Sequence, residues 1–122
     1  MNKSNKEIVL EVLKRTFIDR DPTVVAQYFG ASYTQHNPVI PDGPSAIATM
    51  IPTLTALTYE PGMVVADGDL VMVHGRYTGW GPKPMVAVDI FRVKDGKVVE
   101  HWDVMQEEVS TASGHAMFTK PD

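Results

Sequence analysis

The sequence predicts an α+β domain in which N-terminal helices pack on a strongly curved, mostly antiparallel sheet. Three observations support this class. Apolar residues recur at helical spacing early in the chain, and from about Tyr59 onward they alternate as in strands. Glycine and aspartate occur together in two of the connections between these strands, which is typical of a sequential antiparallel meander. Helices followed by strands favour helices on one face of the sheet, which would form a cone-shaped barrel around an internal pocket.

Three helices are predicted, over residues 5–19, 22–29 and 44–57. The first begins with a capping box, because Ser4 is followed three residues later by Glu7. Asp21-Pro22 suits the start of the second helix, since proline is preferred at the first helical position. Pro52 lies inside the third helix and must kink it or split it.

The extended segments are a short piece at residues 33–36 and four strands at residues 59–66, 70–80, 85–93 and 97–106. The last two strands form a hairpin about Asp95-Gly96. A three-residue turn with Gly96 in the left-handed conformation would pair Asp89 with His101. It would also gather several candidate site residues on one face: Asp89, Phe91, Val99, His101 and Asp103. A two-residue turn would place Asp89 and Asp103 on opposite faces. We adopt the three-residue turn as a hypothesis, because it brings two carboxylates and an imidazole together.

Composition excludes several classes of function. The chain has no cysteine, which excludes disulfide and thiolate chemistry, and its 11 basic against 15 acidic residues argue against a nucleic-acid binder. No apolar stretch approaches the roughly 20 residues that span a bilayer. Charged residues interrupt the first helix where a secretory signal would be apolar. We therefore expect one cytoplasmic domain over residues 1–109, followed by a mobile tail over residues 110–122.

Two aspartates and two histidines are the candidate catalytic groups. An apolar pocket raises the pKa of a carboxyl group, and a second carboxylate nearby raises it further. Asp89 and Asp103 would therefore suit general acid or base work near neutral pH, although structural ion pairs are an equal alternative. His36 could orient a carboxylate or bind a substrate oxygen, and His101 shares the face of Asp103. Either histidine could instead be a hydrogen-bonded structural residue.

Other chemistries lack their motifs. The histidine and cysteine spacings of common metal sites are absent, and His101-Trp102-Asp103 is only a weak indication, so we predict no metal. The chain also has no glycine-rich phosphate loop after a strand and no Gly-x-Ser-x-Gly elbow. Nucleotide cofactors and serine hydrolase chemistry are therefore unsupported, and no cofactor is expected.

Two segments together resemble a known family. The motif Tyr33-x-Gln35-His36-Asn37-Pro38, followed by the hairpin from Asp89 to Asp103, is similar to the SnoaL-like polyketide cyclase branch of the nuclear-transport-factor-2-like superfamily. The resemblance covers essentially the whole chain and supports the three-residue turn. It also implies homodimers packed through the outer surface of the sheet.

The resemblance implies aldol-type ring closure without metal or organic cofactor, in which the position matching Asp103 is the acid/base. The position matching Asp89 is commonly a histidine in that family, so the chain departs from it there. We predict a lyase or isomerase in which Asp103 abstracts a proton beside a carbonyl group while Asp89 and His36 polarise the oxygen. The small apolar carbonyl compound would contact the remaining candidates: His101, Phe91, Val99, Tyr33 and Trp80. Trp80 belongs to the loop over residues 79–84 at the mouth of the pocket, called the mouth loop below. The alternatives are a noncatalytic pocket for a small molecule or a protein partner, and water activation of the epoxide-hydrolase type.

Overall fold

The computed structural model describes residues 3–121, which form helices packed on one five-stranded sheet. Helix α1 spans Asn5–Leu13 and continues as a π-helical turn, Lys14–Ile18; α2 spans Thr23–Tyr28; α3 spans Pro44–Met50 and passes into a 3-10 turn, Ile51–Thr53. The strands are β1 Phe29–Gln35, β2 Thr58–Asp67, β3 Leu70–Thr78, β4 Met85–Lys94 and β5 Lys97–Glu107. The predicted α+β class is confirmed.

The helices begin and break where their local chemistry predicts. Ser4 Oγ accepts the Glu7 backbone N–H at 3.1 Å, and the Glu7 carboxylate accepts the Ser4 backbone N–H at 2.9 Å, which confirms the capping box. The Asp21 carboxylate accepts the Thr23 backbone N–H at 3.0 Å and so caps α2. Pro52 lies in the 3-10 turn that ends the third helical segment, so it splits the predicted helix.

The sheet is open, with the strand order β1-β5-β4-β3-β2. Strands β2 to β5 form the predicted antiparallel meander, and β1 pairs with β5 in parallel. The predicted cone-shaped sheet does not close on itself, because β1 and β2 are its two edges and do not pair with each other. Helix α1 and its π-helical turn instead pack across the sheet at β2 and β3 and help to enclose the interior.

Apolar side chains from the helices and the inner face of the sheet form one core. Its fully buried members are Leu13, Ile51, Val9, Val12, Val24, Val71, Val73 and Val98. Burying a side chain of this size stabilises the fold by about 1.5–3 kcal/mol. No helix of residues 3–121 is long and apolar enough to cross a membrane.

The β4–β5 turn differs from its prediction. Lys94 pairs with Lys97 across a two-residue turn in which Asp95 and Gly96 have φ values of 51° and 75°. A bulge next to the turn then shifts the register, because Val93 pairs with Val98 whereas Arg92 pairs with Glu100. The extra residue in β5 returns Asp89 and Asp103 to the same face of the sheet. The sequence predicted this shared face from a three-residue turn, not from a bulge. Asp89 therefore lies opposite Asp103 rather than His101, and the predicted pairing is wrong.

The C-terminal tail is anchored on the sheet by Phe118. Its ring centroid lies 5.7 Å from that of His74 on β3. Gly62 on β2 allows this approach, since a Cβ there would lie 2.7 Å from Phe118 Cε1. The Phe118 ring of the tail predicted over residues 110–122 therefore packs against the sheet.

Candidate active site

A cavity of about 350 Å³ lies over the inner face of the β4–β5 hairpin. Its walls are largely apolar and come from the π-helical turn, the segment after β1, the mouth loop and the strands: Phe17, Val39, Ile40, Trp80, Pro82, Met85 and Met105. A small set of polar side chains interrupts these walls: Asn37, Tyr77, Asp89, His101 and Asp103, with Lys83 and Glu107. Apolar walls with a few convergent polar groups are typical of sites for small molecules, and the volume lies at the lower end of their range.

Two aspartates and a histidine form the centre of the polar set. His101 Nε2 lies 2.8 Å from Asp89 Oδ1 and 3.7 Å from Asp103 Oδ2. Each of the three side chains is at most 9% exposed. Two carboxylates directly opposite each other on neighbouring strands repel. The imidazole lies where its proton can offset that repulsion.

Asp89 is held by a second donor from β3. The Tyr77 hydroxyl donates a hydrogen bond of 2.6 Å to Asp89 Oδ2, and both residues are buried. Burial raises the pKa of Tyr77 well above its usual value, and the nearby Asp89 carboxylate raises it further. The phenol therefore stays protonated and remains a donor. With His101 on its other oxygen, Asp89 has both carboxylate oxygens engaged.

Strand β1 and the residues after it supply two amides to the cluster. Gln35 pairs with His101 in the parallel β1–β5 register, and its Oε1 lies 2.6 Å from His101 Nδ1. Asn37 Nδ2 donates to Asp103 Oδ2 at 2.7 Å. Asp103 and His101 thus each have one amide partner that fixes the side-chain orientation.

His36 lies outside the cavity. Its Nε2 is 2.8 Å from Glu100 Oε2, its ring stacks on Trp102 with centroids 4.9 Å apart, and its side chain is 41% exposed. Successive strand residues face opposite sides, and Gln35 faces inward, so its neighbour His36 faces outward. The predicted position of His36 beside Asp89 and Asp103 is therefore wrong. The hydrogen bond from His36, with a further one from Arg92, holds the pKa of Glu100 below its usual value.

The predicted substrate contacts separate into three groups. His101 and Trp80 line the cavity, and the Trp80 ring lies 6.1 Å from that of Phe17. Tyr33 and Phe91 lie in a small inner pocket of about 30 Å³, which His101 also borders. Val99 lies beside neither cavity, because it sits at the hairpin bulge, where its side chain packs against Gly30 of β1.

Asp89, His101 and Asp103 are also the described residues that could hold a metal ion, since one ligand atom from each lies within 4.8 Å of the others. Carboxylate and imidazole ligands suit several divalent transition metals. The 2.8 Å separation of His101 Nε2 and Asp89 Oδ1 is that of a hydrogen bond. An ion bound there would have to replace the proton between these atoms. The expectation of a site without metal stays a prediction.

Three residues of the cluster were not predicted as site residues. Gln35 and Asn37 belong to the motif around His36, and strand alternation from the apolar Tyr33 would have placed both of them inward. Tyr77 lies on the buried face of β3 together with Val71 and Val73. Nothing in the local sequence indicates that its hydroxyl reaches an aspartate on the next strand.

Comparisons with known proteins agree with this fold. A family model described as a SnoaL-like domain matches residues 9–101. The matched range contains Gln35, Asn37, Asp89 and His101, and it ends two positions before Asp103. A search among curated proteins finds no significant match.

Several solved structures share the fold. An NTF2-like protein of unknown function from Cytophaga hutchinsonii has a TM-score of 0.75 at 12% identity, covering 87% of this chain and 93% of that one. A provisionally named polyketide cyclase from Bacillus cereus has a TM-score of 0.65 at 21% identity, covering 84% and 78%. An LEH-like epoxide hydrolase from M. tuberculosis has a TM-score of 0.68 at 19% identity, covering 84% and 82%. At these identities the likeness shows the fold alone.

Proposed function

The chain belongs to the SnoaL-like family, and from this membership and its cavity we propose that it acts on a small apolar carbonyl compound by acid/base chemistry without a cofactor. One observation carries the proposal. The Asp103 carboxylate lines an apolar cavity at the centre of a buried polar cluster, where Asn37 orients it and His101 lies within 3.7 Å. A carboxylate that is shielded from water and held by a fixed donor is suited to remove a proton from carbon.

The proposed chemistry is proton abstraction followed by ring closure or isomerisation. Asp103 takes the proton from the carbon beside a carbonyl group, and the electron pair of that C–H bond forms an enolate. The proton shared between His101 Nε2 and Asp89 Oδ1, rather than a proton of His36, would turn to the enolate oxygen and stabilise it when substrate is bound. In ring closure the enolate carbon forms a bond to a second carbonyl carbon, whose C=O π pair becomes an alkoxide, and the alkoxide takes back the proton that Asp103 removed. In isomerisation Asp103 returns its proton to a different carbon.

Activation of water is the second candidate. It is favoured by the 2.7 Å bond between Asn37 Nδ2 and Asp103 Oδ2, which sets an amide beside a carboxylate at the cavity wall. A water bound there would lose a proton to Asp103 as its oxygen attacks an epoxide carbon. The C–O bond of that epoxide carbon breaks, and the released alkoxide takes up the proton that Asp103 received. Incorporation of ¹⁸O from labelled water into a diol would distinguish this reaction from carbonyl chemistry.

We also propose a homodimer formed through the outer face of the sheet. Val65, Met72 and Val104 are exposed there by 64%, 41% and 69%. Val65 pairs with Met72 across β2 and β3, and Met72 pairs with Ile90 on β4, so apolar side chains continue across the sheet. A second copy of the chain would cover this surface. The cytoplasmic location stays a prediction from the charged first helix.

The test of the proposed function replaces Asp103 by asparagine and measures turnover of a panel of β-keto and polycyclic carbonyl compounds. Asp67→Asn is the matched control, because Asp67 is an exposed aspartate at the end of β2. We expect wild type and Asp67→Asn to convert at least one compound, and Asp103→Asn to bind it without conversion. Full activity of Asp103→Asn would refute the mechanism. Binding without conversion by wild type would favour the noncatalytic alternative.

A further inference from the structure

We propose that Gln35 is a positioning residue that sets which atoms of the His101–Asp89 pair carry protons. This inference deepens the proposed function and rests on it for its catalytic meaning. The arrangement of protons follows from four contacts that join Asn37, Gln35, His101, Asp89 and Tyr77 in sequence.

The orientation of the Gln35 amide is set by the backbone. Its Oε1 lies 3.0 Å from the backbone nitrogen of Asn37. A backbone N–H can only donate, so the side-chain atom facing it must be the oxygen. The same oxygen lies 2.6 Å from His101 Nδ1. Since an amide oxygen only accepts, Nδ1 of His101 must carry a proton.

The proton on Nδ1 determines the rest of the pair. His101 Nε2 and Asp89 Oδ1 are 2.8 Å apart, and a hydrogen bond between them requires one proton. The Tyr77 hydroxyl keeps its own proton, as the donor to Asp89 Oδ2. The proton between His101 Nε2 and Asp89 Oδ1 therefore belongs to one of those two atoms. The imidazole and Asp89 therefore hold two protons together and have no net charge. With an ionised Asp103, the three residues have one negative charge rather than two.

This arrangement explains how two opposed aspartates coexist in a buried site. A neutral pair beside Asp103 leaves Asp103 free to act as the base and keeps a proton near the substrate oxygen. Without an acceptor for Nδ1–H, a neutral imidazole would hold its single proton at Nε2, facing Asp89. The pair would then be negative, and it would oppose the negative charge that develops on an enolate.

The test reads the protonation of each ring nitrogen by ¹⁵N NMR of histidine-labelled protein without ligand. The variants are Gln35→Met, which removes the acceptor, and Gln35→Glu, which keeps an oxygen acceptor for Nδ1–H. The matched control is Gln106→Met, because Gln106 is an exposed glutamine of β5. The backbone N–H of Gln35 donates a hydrogen bond of 2.7 Å to Asp42 Oδ1. Both substitutions at position 35 keep this donor, because they change only the side chain.

We expect Nδ1 of His101 to be protonated at neutral pH in wild type, Gln35→Glu and Gln106→Met, and to lose its proton in Gln35→Met. An unprotonated Nδ1 in wild type would overturn the inference even if Gln35→Met does not fold. An unchanged ¹⁵N pattern in folded Gln35→Met would also overturn it. These results do not depend on turnover, so a failure of the proposed function leaves them interpretable. If turnover is found, Gln35→Met should lower kcat more than it raises KM, and Gln35→Glu should restore kcat.

Discussion

Removing the hydroxyl group should lower the free energy of unfolding at Tyr77 but not at the neighbouring Tyr59. Tyr77 and Tyr59 are both buried, and their ring centroids are 4.5 Å apart. The Tyr77 hydroxyl donates to Asp89 at 2.6 Å, whereas the Tyr59 hydroxyl has no hydrogen-bond partner within residues 3–121. Tyr77→Phe and Tyr59→Phe remove the same atom from the same core, so packing changes are matched.

The expected magnitudes follow from what each deletion leaves behind. Tyr77→Phe leaves Asp89 Oδ2 without its donor in a residue that is 3% exposed, and losing a hydrogen bond to a buried charged group costs about 1.5–3 kcal/mol. Tyr59→Phe removes a polar group that is buried without a partner, so it should leave the free energy of unfolding unchanged or raise it by up to about 1 kcal/mol. The two variants should therefore differ by roughly 1.5–4 kcal/mol.

Urea unfolding at neutral pH measures both free energies, and thermal melting provides a second measurement. A difference of this size corresponds to roughly 5 °C or more in melting temperature for a domain of this length. Tyr77→Phe in an Asp89→Asn background should cost less than in wild type, because the charged acceptor is gone. Equal losses at Tyr77 and Tyr59, or a neutral Tyr77→Phe, would refute the assignment of the Tyr77–Asp89 bond.

Three further predictions concern the rest of the molecule. The pKa of Glu100 lies below its ordinary value of 4.5, so the stability that Glu100 contributes is present above that pH and is lost as the pH falls below it. Urea midpoints measured down the acid range should fall less steeply in Glu100→Gln than in wild type. Val104→Lys should convert the proposed dimer to a monomer in sedimentation, while a wild type that is already monomeric would contradict the outer-face interface. Phe118→Ala should expose the tail to limited proteolysis with little change in melting temperature, because the ring contacts His74 on the sheet rather than the core.

Local rules predicted the order of the helices and strands because each boundary has a local cause. Ser4 with Glu7 caps α1, and Pro52 ends the third helix, whatever the rest of the chain does. The hairpin register could not be obtained in this way. Asp95-Gly96 allows both turn lengths, and the bulge between β4 and β5 depends on how Val98 packs into the core.

The site was predicted in part for the same reason. Asp89, His101 and Asp103 share a face because strand alternation and the bulge together return them to it. His36 was predicted in the site from the reactivity of its imidazole, whereas strand alternation favours Gln35 and Asn37 as the inward residues. The Tyr77–Asp89 bond crosses from β3 to β4 and depends on tertiary packing, for which one sequence gives no local signal.

The proposed mechanism requires that Asp103 removes a proton from carbon inside the cavity. Hydrogen–deuterium exchange tests it directly, without knowledge of the final product. Carbonyl compounds that bind the protein are incubated in deuterated water, and loss of the signal of the hydrogen beside the carbonyl group is followed by ¹H NMR. We expect wild type to catalyse this exchange and Asp103→Asn to abolish it. Equal exchange in both proteins, or none with any bound compound, would contradict it.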